Sequence, residues 1–128
     1  MPATAVVIFA HGSSIESANE SVRHVADNVR RDGGFDVVEP AFLEHGVPDL
    51  AGAVDAVIKQ GATRIIVVPY FLTLGIHLQR DLPGIAAGLA RLHRGVEIRI
   101  APPLDGHPAL GAILKERAKE ALAAGKPN

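Results

Sequence analysis

Three short stretches place side chains able to bind metals or move protons at the ends of apolar runs. They are His11-Gly12-Ser13-Ser14, Glu44-His45 and Gly75-Ile76-His77. A neutral imidazole nitrogen and a carboxylate oxygen are both ligands for first-row divalent metals. The same groups accept protons near neutral pH. His11, His77 and Glu44 facing one crevice would have both capacities at once. Each also has a plainer reading. His11 as a lone strand-end residue would satisfy a backbone group, a strand-end Glu44 is most often solvated, and His77 by itself would cap a helix.

The remaining histidines carry weaker signals. His45 neighbours Glu44 but should point elsewhere if the strand stays extended there, which leaves it a supporting role. His24 falls among the polar positions of a helical stretch, and His93 in a last helical turn suits the helix dipole. His107, before Pro108, reads as the start of a helix. Arg80 is the basic side chain best placed to meet an anionic ligand, against the alternative of a surface ion pair with Asp81 or Glu44. Helix N-termini after Gly12 and near Gln79 offer further anion-binding amides.

The elements that must position these groups follow from periodicity. Apolar, β-branched-rich runs at Ala5–Ala10, Val37–Leu43, Arg64–Phe71 and Val96–Ala101 predict four strands. The first and third are almost continuously apolar, as central parallel strands covered on both faces require. Helical spacing lies between and after them: Val22, Val25, Ala26 and Val29; Val54, Val57 and Ile58; Leu82, Ile85, Leu89 and Leu92; and Leu110, Ile113, Leu114, Ala118 and Ala121. Gly33–Gly34, Gly61, Gly95 and Gly125 fall where left-handed C-caps would end those helices. Ser13 with Glu16 predicts a capping box, and Pro108 the first turn of the last helix.

Four β-α units with short, right-handed connections give an α/β fold, a small parallel sheet flanked by helices. The expected strand order is 2-1-3-4, in a single domain over residues 1–128. Ligands of such sheets bind beyond the carboxyl ends of the strands, where the order reverses. That rule brings His11, Glu44 and His77 to one edge.

Composition removes several classes of function. With no cysteine, disulfides, thiolate nucleophiles, iron–sulfur clusters and cysteine-based zinc sites are out. A formal net charge of -1 argues against general nucleic-acid or anionic-membrane binding. Tryptophan is absent and aromatics make up 4%, which leaves little for base stacking. Ile65–Leu72, the longest apolar run, is too short to span a bilayer, and no basic region precedes Ala5–Ala10 as in a secretory signal. The expectation is a cytoplasmic protein. No glycine loop ending in Lys-Ser/Thr is present, so nucleotide hydrolysis is not expected.

Five blocks, in order and nearly end to end, carry a family resemblance. They are Phe9-Ala10-His11-Gly12-Ser13; Phe42-Leu43-Glu44 with Pro48 and Leu50; Val68-Pro69-Tyr70-Phe71-Leu72; Gly75-Ile76-His77-Leu78 with Asp81-Leu82-Pro83; and Pro103-Leu104-Asp105-Gly106-His107-Pro108. The chain resembles the small CbiX and SirB chelatases that act on sirohydrochlorin in cobalamin and siroheme biosynthesis. The resemblance implies a chelatase-like, flavodoxin-like half fold. It implies insertion of divalent cobalt or iron, with nickel a further candidate, into a tetrapyrrole, the metal being substrate and no organic cofactor being needed. It also implies His11 and His77 as metal ligands and proton acceptors with Glu44 assisting, and a homodimer, since the short form is similar to half of a longer chelatase. Ser13, Ser14 and Arg80 are the expected contacts to the substrate. The family often has arginine directly after His-Gly-Ser, where Ser14 stands here.

Two other classes compete. A phosphoryl-carrier domain would be phosphorylated on His11, with the following helix N-terminus cradling the phosphate, but it gives no role to His77, Glu44 or Asp81-Leu82-Pro83. A non-catalytic metal or tetrapyrrole carrier would need nearly the same ligands as a catalyst. A histidine phosphatase would need arginine where Ala10 stands.

Overall fold

A computed structural model describes residues 3–125. The chain alternates strictly: β1 (Ala3–Ala10), α1 (Glu16–Gly33), β2 (Val37–Phe42), α2 (Leu50–Lys59), β3 (Ala62–Tyr70), α3 (Ile76–Leu92), β4 (Glu97–Ile100) and α4 (Ala109–Ala124). The strands form one parallel sheet in the order β2-β1-β3-β4. β1 is central, and Ala5 to Ala10 are buried without interruption because helices cover it on both faces.

The two faces are filled unequally. On one, Ala5, Val7 and Phe9 of β1 and Ile65 and Val67 of β3 pack with Leu50, Ala53, Val54 and Val57 of α2 and Leu82 and Leu89 of α3. On the other, Val6, Ile8 and Ala10 meet Val38 and Phe42 of β2 under Val22 and Ala26 of α1. Ile66, Val68 and Tyr70 are only partly buried there.

Prolines sit where the ladder has no donor to lose. Pro40 is on the edge strand β2. Pro69 pairs with Phe9 of β1 but lies past the last partner of β4, since that ladder closes at Val67 and Ile100. At the opposite end of β3, Arg64 and Arg99 both hold Glu97, each at 2.9 Å. Arg99 first, then Arg64, keep the Glu97 carboxyl below the ordinary carboxylate range. The stabilisation these exposed pairs supply is therefore present at neutral pH and is lost as pH falls through that lowered range.

Several local expectations need correction. Ser13 does not cap α1: the N-cap is Ile15 with no side-chain cap bond, and the Ser13 hydroxyl instead accepts from the Ile15 amide at 3.0 Å. Glu16 pairs with Arg23 at 2.6 Å, not with the backbone in a capping box. Glu16 and Glu20 together raise the pKa of Arg23, whose guanidinium lies 5.5 Å from the Phe42 ring centroid. Pro108 is the N-cap of α4, one position before its first turn. The buried stripe of α3 is Leu82, Ala86 and Leu89, while Ile85 and Leu92 are exposed. The largest departure is α4, whose apolar stripe buries no residue.

Leu82 is 1% exposed and belongs to the core between sheet and α3. Leu82→Ala should cost about 3 kcal/mol, the transfer of its methyl groups plus the cavity left behind. Urea unfolding with an unchanged denaturant slope will measure it.

Candidate functional site

The connections leaving the carboxyl edge of β1 and β2 are stitched together by their backbones. Leu43 donates its amide to Ala10 O (2.9 Å) and Glu44 to His11 O (3.0 Å), which continues the β1–β2 pairing past the end of β2. Gly12 then crosses so close that an added Cβ would lie 1.7 Å from the Glu44 carbonyl oxygen. Its φ of 88° is also a conformation in which side chains are strained. Only glycine fits.

Asn19 locks the arrangement from α1. It is 1% exposed, the single buried polar side chain among the described residues. Its amide oxygen accepts from Ser13 N at 2.9 Å, and its nitrogen donates to Ser13 O at 2.8 Å and His45 O at 2.9 Å. The second of these donations spans from the first connection to the second. His45 reaches it with a left-handed backbone, φ 58°, so its carbonyl turns inward while its side chain stays exposed.

On this frame His11 and Glu44 meet, with Nε2 and Oε1 3.4 Å apart and both side chains more than half exposed (59% and 51%). His11 Nδ1 lies 3.2 Å from Gly12 O. Both ring nitrogens of His11 therefore face oxygen atoms, and an imidazole beside a carboxylate offers nitrogen and oxygen donors that can share a cation or a proton. The Phe71 ring stands edge-on to the imidazole at 6.3 Å between centroids and limits its tilt.

His77 is in the first turn of α3, at the same edge of the sheet, but stands apart from that pair. Its Nδ1 is 3.3 Å from an Arg80 guanidinium nitrogen. A guanidinium can only donate, so as a hydrogen bond this contact uses Nδ1 as the acceptor. Arg80 is also paired with Asp81 at 3.2 Å, as one of the alternatives for it anticipated. Among the described residues no three histidine or carboxylate side chains form a ready metal cage. Ser14 is exposed, and Ser13 is tied into the Asn19 and Ile15 hydrogen bonds. His107 caps its own helix by accepting from Ala109 N at 3.0 Å, and His24 is exposed.

Around these polar groups the loops and helix starts carry large apolar side chains facing outward: Ile15, Leu43, Leu72 and Ile76 are all exposed. Among the described residues no helix is long and apolar enough to cross a membrane.

Asn19 is the member of the site that motif reading passed over, and Phe71, quoted in one block of the resemblance, was given no role there. Asn19 had a signal: it continues the Val22 and Ala26 stripe one turn toward the N-terminus, so a polar side chain occupies a core position.

The architecture is that of a small parallel α/β domain with an imidazole–carboxylate pair at the switch point of its sheet. The chain belongs to the CbiX family, whose model matches residues 5–121. It is 33% identical to a sirohydrochlorin cobaltochelatase of Methanopyrus kandleri, over 92% of this chain and 96% of that protein. It is 30% identical to the chloroplastic sirohydrochlorin ferrochelatase of Arabidopsis thaliana, over 94% of this chain and 53% of that one. Among solved structures, a putative cobalamin biosynthesis CbiX protein of Marinobacter aquaeolei superposes with a TM-score of 0.81 at 31% identity, covering 94% and 98% of the two chains. The SirB chelatase of Bacillus subtilis in complex with cobalt gives 0.84 at 26% identity, covering 92% of this chain and 50% of its own. The chain thus spans the whole of some relatives and about half the length of others.

Asn19→Asp should be nearly as damaging as Asn19→Leu, because a carboxylate cannot donate to the Ser13 and His45 carbonyls. Each is expected to lose about 2–4 kcal/mol, as buried partners are left unsatisfied. Calorimetric unfolding will measure this, and equal stability of the Asp variant and the parent would disprove the donor role.

Proposed function

We propose that the chain is a sirohydrochlorin chelatase, inserting divalent cobalt or iron into the tetrapyrrole, with residues 1–128 acting as one domain. The observation that carries this reading is the His11 imidazole beside the Glu44 carboxylate, at an edge where Ile15, Leu43, Leu72 and Ile76 are exposed. Names of relatives on both sides of the metal choice, cobaltochelatase and ferrochelatase, support the reaction class. Nickel is a third candidate on ligand chemistry alone.

In the reaction the metal ion replaces two pyrrole N–H protons, so two N–H bonds break and metal–nitrogen bonds form. His11 Nε2 and Glu44 hold the incoming ion while the flat macrocycle settles on Ile15, Leu43, Leu72 and Ile76. As the pyrrole nitrogens take over the metal, the same imidazole and carboxylate become free to accept the two released protons. No nucleotide enters the balance; the stability of the metallated product drives it.

His77 joins as the second imidazole ligand once Arg80 leaves its Nδ1. A substrate carboxylate is the natural competitor for that guanidinium, so macrocycle docking and ligand release are coupled through Arg80. Ser13 and Ser14 meet the substrate at the opposite loop. One domain offers an open edge rather than an enclosing cleft, and burying a tetrapyrrole takes two bodies. A two-fold homodimer with facing edges supplies them. The reading keeps a cytoplasmic location for this chain.

His11→Ala and His77→Ala should each lower anaerobic cobalt insertion into sirohydrochlorin at least a hundredfold while leaving the circular dichroism spectrum intact, and Glu44→Gln about tenfold. Absorbance of the metallated product follows the reaction. Full activity in either histidine variant under limiting metal would remove the paired-ligand assignment.

Protons compete with metal for imidazole nitrogen. Cobalt affinity measured calorimetrically should therefore fall on going from weakly alkaline to weakly acidic buffer, more steeply than for one site when both histidines take part. A flat profile would leave the mechanism without its ligands.

A further inference from the structure

Phe71 is the first residue beyond β3, and the register of the sheet brings it to His11. Strands β1 and β3 pair in parallel as Phe9 with Pro69 and Ala10 with Tyr70. One step further along both chains, His11 stands next to Phe71. Side chains alternate along a strand, so His11 shares its face of β1 with Phe9. Phe71 meets both. Its ring centroid is 6.0 Å from that of Phe9 at an interplanar angle of 63°, and 6.3 Å from that of His11 at 80°. These are the steep, near-perpendicular arrangements that aromatic rings favour.

The Phe71 ring is anchored on its inner side. Phe9 is 2% exposed, and Phe71 packs against the core cluster that holds Phe9, Ile65, Val67 and Leu82. Its backbone is held as well. Leu104 donates its amide to the Phe71 carbonyl at 3.2 Å, and Asp105 donates to Leu72 O at 2.8 Å. The connection after β4 thus fixes where the chain leaves β3.

His11 has no such anchor of its own, because its side chain is 59% exposed at the end of a strand. Gly12 O lies 3.2 Å from Nδ1 and the Glu44 carboxylate 3.4 Å from Nε2. Both oxygens belong to the connections after β1 and β2. They favour one edge of the imidazole, while the second side-chain torsion of a histidine is intrinsically broad. The near-perpendicular Phe71 ring, on the β3 side, sets the plane.

We propose that Phe71 is a positioning residue of the His11–Glu44 pair. Its ring, seated on Phe9, keeps the imidazole plane at the angle at which Nε2 meets the carboxylate, and so keeps the pair set for a divalent metal. The inference rests on the functional reading in which that pair holds the incoming ion. Phe71 touches no reacting atom. It acts on the fraction of molecules in which the site is ready, and apparent metal affinity falls in proportion to that fraction. An aromatic pair of this kind shifts such a balance about three- to tenfold.

Full-length Phe71→Leu keeps an apolar side chain against Phe9 but removes the ring, and Phe71→Tyr keeps the ring. Calorimetric titration with cobalt should give a Kd about three- to tenfold higher for Phe71→Leu and within about twofold of the parent for Phe71→Tyr. In anaerobic insertion assays the cobalt KM of Phe71→Leu should rise by the same factor, with the KM for sirohydrochlorin unchanged. Proton NMR of the metal-free chain reads the contact itself. The His11 ring protons, identified as those absent from His11→Gln, should show through-space contacts to the Phe71 ring and should shift in Phe71→Leu. Absence of those contacts in the unmodified protein overturns the proposal, whatever Phe71→Leu does to folding. An unchanged cobalt Kd in folded Phe71→Leu, or an equal loss in Phe71→Tyr, overturns it too. So does a rise in the sirohydrochlorin KM alone, which would make Phe71 a substrate contact. The parent chain separates the two levels. Cobalt binding without insertion overturns the functional reading, and the ring contact and Kd then still decide the role of Phe71; no cobalt binding overturns both.

Discussion

The chemistry at the edge of the sheet depends on one buried amide. Asn19 has both ends of its side chain committed, accepting from one connection and donating to two carbonyls. Those bonds fix where the chain turns after β1 and after β2. The His11–Glu44 approach follows from that spacing, since both side chains are more than half exposed and Phe71 meets only the edge of the His11 ring. Gly12 is the other half of the constraint. The backbone could not come this close to the Glu44 carbonyl with any side chain present.

Rigidity in the backbone and freedom in the side chains suit a transient ligand. A cage of three or four buried ligands would hold a metal permanently, which is the task of a structural site. Here His11 stands beside Glu44 and His77 beside Arg80, all four exposed. On the proposed reading the metal is handed on, and ligands that can be released one at a time serve that better.

Much of this was legible in the sequence, for identifiable reasons. The four strands and the helices between them followed from continuous apolar runs and helical spacing, and the strand order from the fold rules for such sheets. His11, Glu44 and His77 came to one edge because each follows a strand or opens the next helix. The misreadings have physical causes. Ser13 matched a capping pattern, but its backbone was claimed by Asn19, a contact between residues brought together only by the fold. The α3 stripe was read through Ile85 and Leu92, whereas small Ala86 fills the position facing the sheet. The apolar pattern of α4 was real, but periodicity reveals that a face wants covering and not which surface covers it.

The prolines and charges at the margins of the sheet have a further effect. A parallel sheet with two free edges is a template for adding strands from other molecules. β2, at one edge, carries Pro40, which interrupts any incoming ladder, with Glu39 beside it. β4, at the other, is four residues long and bears Glu97 and Arg99. An added strand would have to displace or bury the ion pairs those side chains make. The chain can therefore expose a broad apolar rim for its ligand without its strands recruiting one another into fibrils.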